Sequence, residues 1–157
     1  MSYRDQFIWK RAIQLSINCY HLTEKFPKSE LYGLISLLWR ASVSVPSNIA
    51  EGYGRRTQNE YIQFLHIALG SLRELDTQLI IAKEVKLATP ELFDPVLEEV
   101  DRMQGILVST LQKLKSWFPP SASSDFSRDL LRSGGIRSQE SGVRRISALF
   151  NSSCIWI

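Results

Sequence analysis

The side chains able to do chemistry in this sequence are few, and their spacing limits what they can do. There are two histidines, His21 and His66, and two cysteines, Cys19 and Cys154. Neither histidine comes with the Glu-x-x-His spacing by which a helical bundle holds a pair of metal ions. No Cys-x-x-Cys pair and no Cys/His cluster marks a zinc site or a disulfide framework. The serines are many, yet none stands in a nucleophile elbow. Gly52-Tyr53-Gly54 lacks the preceding strand and the following spacing of a phosphate-cradling loop. The expectation is a protein that is not an enzyme and uses no metal and no cofactor.

The cations offer another chemistry. Lys10, Arg11, Arg40, Arg55, Arg56 and Arg73 fall within or beside the first three helical patterns. Basic side chains of this kind can hold nucleic-acid phosphates without reading bases. Arg55-Arg56 also precede a helix N-terminus, where the backbone favours negative charge. The plainer alternative is pairing with Glu51, Glu60, Glu74 or Asp76, or simple solvation. Glu51 and Glu74, with Arg40 and Arg73, lie nearest to apolar stripes, so a partly buried pair between helices is a further expectation.

Four elements must position these groups. The first helix is predicted from about Gln6 to Lys25, with Asp5 as N-cap and Pro27 as terminator. Its stripe is Ile8, Ala12, Leu15, Cys19, Leu22 and Phe26, at alternating steps of four and three. The second starts near Ser29 as N-cap and carries Leu31, Leu34, Leu38, Ala41 and Val45. Pro46 removes one backbone bond, to the carbonyl of Ser42. Ile49 and Ala50 continue the apolar pattern, so the helix is predicted to kink at Pro46 and stop at Gly52.

The third helix opens on the capping box Thr57-Gln58-Asn59-Glu60. Tyr61, Leu65, Ala68, Leu72, Leu75, Leu79 and Ala82 then form a heptad seam. The fourth is predicted to begin with Thr89 as N-cap and Pro90 as its first residue, and to carry Phe93, Val96, Val100, Met103, Leu107, Leu111 and Leu114. Short links join the four, which predicts an all-α, up-and-down antiparallel four-helix bundle over residues 1–118.

Residues 119–157 change character. They hold ten serines, five arginines and no lysine. That composition reads as a flexible Ser/Arg-rich tail. Residues 1–118 carry 14 Lys and Arg against 13 Asp and Glu, and the tail carries 5 against 3. The net charge of +3 is mild and does not by itself mark a nucleic-acid binder. No signal peptide pattern and no membrane-length apolar run is present, so the expected compartment is cytoplasmic.

The helices are apolar over more than one inward stripe requires. Trp9, Ile13, Ile62, Leu69 and Ile80 are left over once each helix has its core seam. Surplus apolar faces point to self-association, with the subunit number left open.

Two long motifs carry a resemblance. They are Val43-Ser44-Val45-Pro46-Ser47-Asn48-Ile49-Ala50-Glu51-Gly52 and, in the third helix, Tyr61-Ile62-Gln63-Phe64-Leu65 continuing through Ile67 to Leu79. Trp9-Lys10, Phe26-Pro27 and Tyr32-Gly33-Leu34 fit the same pattern. Over roughly residues 3–116 the chain resembles the four-helix bundle proteins also known as 23S rRNA intervening-sequence proteins. The resemblance implies an up-and-down bundle, a ring-shaped homopentamer and no known catalytic activity. Some members are encoded within intervening sequences of bacterial 23S rRNA genes. A similar branch, the accessory variability determinant of diversity-generating retroelements, partners a reverse transcriptase and binds nucleic acid through a basic surface. The implied reading is a homo-oligomeric module that binds RNA or a nucleic-acid–protein complex. The alternative is a structural or protein-interaction module with no nucleic-acid role.

Overall fold

Four apolar stripes at helical spacing meet in one core. In the computed structural model, which describes residues 2–117, they lie on α1 (Phe7–Thr23), α2 (Leu34–Tyr53), α3 (Gln58–Glu84) and α4 (Asp94–Trp117). Each helix packs on the next, and α1 closes on α4. This is the up-and-down antiparallel bundle, and the described residues contain no strand. The tail from residue 119 onward, with Cys154, lies outside the described residues.

The predicted seams of α1, α3 and α4 are buried along their whole length. The α2 seam is buried at Leu38, Ala41 and Val45, but Leu31 is exposed. The reason is that α2 starts later than its sequence suggests. Ser29 is not its N-cap; it belongs to a 3₁₀ turn, Lys28–Glu30, and α2 opens after Gly33. The carboxylate of Glu30 accepts from the N–H of Leu34 at 3.3 Å. An added Cβ at position 33 would lie 2.8 Å from that carboxylate, which would have to swing aside.

The other helix starts are displaced in the same way. Asp5 ends a 3₁₀ turn, Tyr3–Asp5, and accepts from the N–H of Ser2 at 2.8 Å, so Gln6 rather than Asp5 caps α1. Thr89 makes no side-chain cap, and Pro90 opens a 3₁₀ turn, Pro90–Leu92. The main helix begins at Asp94. Pro95 then sits in its first turn, where a proline lacks nothing that the helix would use. The capping box of α3 forms as predicted, with Thr57 Oγ1 accepting from the N–H of Glu60 at 3.3 Å.

The second helix passes through Pro46 and is kinked there, continuing to Tyr53. Pro46 has no N–H for the Ser42 carbonyl, and that carbonyl is buried. The hydroxyl of Ser16 on α1 supplies the missing donor at 2.8 Å. The same oxygen lies 3.0 Å from the Ala12 carbonyl, so its single proton serves two acceptors.

Because α2 does not stop at Gly52, that glycine has a different role from the predicted C-terminal one. It is buried inside the helix, against α3. An added Cβ would lie 2.7 Å from Phe64 Cβ and 3.0 Å from the Tyr61 ring. A Cβ cannot swing aside, so only glycine lets the two backbones approach this closely. Gly70, on the exposed side of α3, meets nothing within 4 Å. We therefore expect Gly52→Ala to cost about 1–3 kcal/mol through overpacking. Gly70→Ala should instead stabilise by about 0.5–1 kcal/mol through helix propensity. Urea denaturation of the two variants checks the pair.

Candidate nucleic-acid interface

The turn between α2 and α3 is built by backbone bonds and then by Arg55. The N–H groups of Gly54 and Arg55 donate to the carbonyls of Glu51 and Gly52, at 3.1 Å each. The guanidinium of Arg55 pairs with Glu51 one turn back on α2. It also lies over the ring of Phe64 on α3, 4.6 Å from the centroid. Arg55 thus latches the end of α2 to the start of α3. Its charge is thus engaged inside the protein, by Glu51 and the Phe64 ring.

Arg56 is different. It is exposed and makes no ion pair with a described residue. It acts electrostatically on Glu60. That carboxyl is held below the usual glutamate range first by the Thr57 hydroxyl and N–H, and further by Arg55 and Arg56. The capping box takes up the N–H of Thr57 and the N–H of Glu60, and the Glu60 carboxylate sets a negative charge against the positive end of α3. Contact with an outside anion at this corner falls to side chains.

The antiparallel arrangement brings further cations to the same end. Gln58 Nε2 donates to the Leu114 carbonyl at 3.2 Å, placing the last turns of α4 beside the start of α3. Lys113 and Lys115 are exposed there. Arg4 and Lys10 come from the start of the chain, where the turn Tyr3–Asp5 touches α2. Against these cations and the Arg55-Arg56 pair stand Asp5, Glu51 and Glu60. The mild net charge of the bundle is therefore unevenly spread, with its excess at one end.

Lys113 and Lys115 were missed from the sequence. Their signal was available, since cations in a last helical turn complement the dipole and an antiparallel bundle places that turn next to Arg55-Arg56. Arg11 leaves the set of free cations. It donates to Glu99 on α4 at 2.8 Å, with the carboxylate largely buried, and lies 5.6 Å from the centre of the Phe7 ring. Among the described residues the ion pairs that cross between helices are Arg11–Glu99 and Lys83–Asp94, at 2.8 and 2.6 Å. The anticipated carboxylates Glu51 and Glu74 form none. Arg40 and Arg73 are exposed half-way along the bundle and form no ion pair with described residues.

The surplus apolar residues separate into three kinds. Leu69 is buried in the core of the single chain. Ile13 and Ile62 are half-buried, as is Trp9, which meets Tyr3 edge to face at 5.3 Å. Ile80 is 49% exposed and Ile81 is 47%.

His66 is exposed, and His21 lies 3.5 Å from Glu24 at the surface. Burial pushes the Cys19 thiol up to about 12. It stays protonated and unreactive at neutral pH. Among the described residues no group of His, Cys, Asp and Glu could hold a metal ion. No described helix is long and apolar enough to cross a membrane.

The sequence model of the 23S rRNA-intervening sequence proteins matches residues 4–109. The chain belongs to that family. The match takes in all of α1, α2 and α3 and most of α4, including the Pro46 segment and the Arg55-Arg56 corner. A solved structure from the S23 ribosomal protein family of Bacteroides thetaiotaomicron, a protein of unknown function, has the same fold. Its TM-score is 0.62 at 16% identity, over 66% of this chain and 97% of that one. No curated protein matches this sequence. Membership of the 23S rRNA-intervening sequence family thus brings a shared bundle, and it brings no catalytic assignment.

Proposed function

We propose that this chain forms a non-catalytic, homo-oligomeric ring of five subunits in the cytoplasm that binds RNA through the positive end of its bundle. The single observation that carries the reading is the convergence of Arg4, Lys10, Arg55, Arg56, Lys113 and Lys115 at one end. Arg56, Lys10 and the two α4 lysines form no ion pair with described residues and are the phosphate contacts. Arg55 orients the corner. Arg40 and Arg73 extend the contact along the flank. Repetition of one modest patch by ring symmetry multiplies its effect, because each further contact is intramolecular once the first is made.

The opposite end favours a second reading, a protein-interaction module without RNA. There Tyr32 is 94% exposed beside Leu31, with Val85 and Leu92 on the neighbouring connection. Filter binding across a salt series separates the two. At about 50 mM salt the intact chain should retain a short RNA, with a log–log slope that Arg56→Gln lowers by roughly 1 for each contacting protomer. No retention at that salt removes the RNA reading and leaves the protein one.

Self-association rests on the exposed outer face of α3. Ile80→Glu should lower the mass by light scattering, because a charge at a subunit interface is desolvated without a partner. The melting temperature of the remaining species should change little, since Ile80 lies outside the core. An unchanged mass would place the interface elsewhere.

A further inference from the structure

A groove of about 610 Å³ runs along the outer face of α2, away from the positive end. Its size is within the range of small-ligand sites. One wall is aromatic. Tyr20 of α1 stacks on Trp39 of α2 with ring centroids 4.9 Å apart and planes 11° from parallel. Trp39 is fixed in turn, because its Nε1 donates to Thr23 Oγ1 at 2.9 Å. The pair is therefore a held platform, and Tyr20 remains 41% exposed.

The polar groups of the groove are arranged by sign. Arg40 is its cation and forms no ion pair with a described residue. Glu74 of α3 also lines the groove and does not pair with Arg40. Glu74 is tethered by Gln78, whose Nε2 donates to it at 3.0 Å. The Ser47 hydroxyl donates to the Val43 carbonyl at 2.8 Å, so toward the groove its oxygen is left to accept. The set is a stacking face, one guanidinium for an anion, and acceptors for hydrogen-bond donors.

We propose that this groove binds a nucleoside monophosphate, either free or as one unpaired unit of an RNA strand. The base stacks on Tyr20, which every base can do through its π face. The phosphate meets Arg40, whose planar fork suits two phosphate oxygens. Glu74 and Ser47 accept from the ribose hydroxyls or the base amino group. The site draws on none of the residues at the positive end and shares only Arg40 with that reading, while Tyr20, Ser47 and Glu74 belong to the groove alone.

Calorimetric titration of the full chain with AMP, adenosine and inorganic phosphate tests this, with a short oligoadenylate and an RNA duplex as further arms. AMP should bind saturably, and adenosine and phosphate each more weakly by about tenfold or more, because each lacks one of the two anchors. Arg40→Gln and Tyr20→Leu should each weaken AMP by about tenfold, while Tyr20→Phe retains it. Binding of the oligoadenylate in excess of AMP, blocked by Tyr20→Leu, assigns the site to a strand. AMP binding equal to or tighter than the oligomer assigns it to a free nucleotide. The duplex, with no unpaired base, should not compete for the groove. No saturable AMP heat up to about 5 mM overturns the proposal. A fall in assembly mass for Arg40→Gln also overturns it, because the groove would then be closed by a second copy.

Discussion

The hydrogen bond from Ser16 to the carbonyl of Ser42 holds the architecture together at its weakest point. A proline in a helix interior costs about 3 kcal/mol and leaves a carbonyl without its donor. That carbonyl is buried, so water cannot repair the loss. A side chain from α1 does so instead, and the repair ties α1 to α2 at the kink. With the carbonyl satisfied, α2 keeps its course to Tyr53. Gly52 then meets Phe64 and Tyr61 at close range, and the α2–α3 turn forms where Arg55 can reach Glu51 and the Phe64 ring. The position of Arg56, beyond that latch, is the last consequence.

The same logic separates what the sequence disclosed from what it concealed. The seams of α1, α3 and α4 were legible because a 3.6-residue period needs only spacing and apolar type. The Thr57 box was legible because both of its partners are local. Helix starts at Ser29 and Thr89 were misplaced because 3₁₀ turns use the same capping residues as α-helices. Pro95, in the first turn of α4, held the correct signal for that helix. Gly52 looks like a stop signal in one dimension. Its actual role depends on what faces it across the bundle, which no local pattern encodes. Arg11 read as a free cation for the same reason, since Glu99 lies on another helix.

The charged groups follow a division of labour that composition hides. An almost neutral bundle can still offer a strong local field if its cations gather at one end and its carboxylates elsewhere. Antiparallel topology produces that gathering by placing the end of α4 beside the start of α3. Carboxylates near the corner are then used internally, with Glu60 capping α3 and Glu51 holding Arg55. What remains to face outward is cationic. The central flank behaves differently, with Arg40 and Glu74 in one groove but unpaired, so that both signs stay available to a ligand.

Ser16 matters because Pro46 leaves the Ser42 carbonyl without a donor. A double-mutant cycle of Ser16→Ala and Pro46→Ala, read by urea denaturation, isolates that coupling from the volume lost at either site. With Pro46 present, Ser16→Ala should cost about 1–3 kcal/mol, the penalty of a buried acceptor left unsatisfied. With alanine at position 46 the restored N–H serves the carbonyl, and the same substitution should cost markedly less. Additive costs in the two backgrounds would contradict the account.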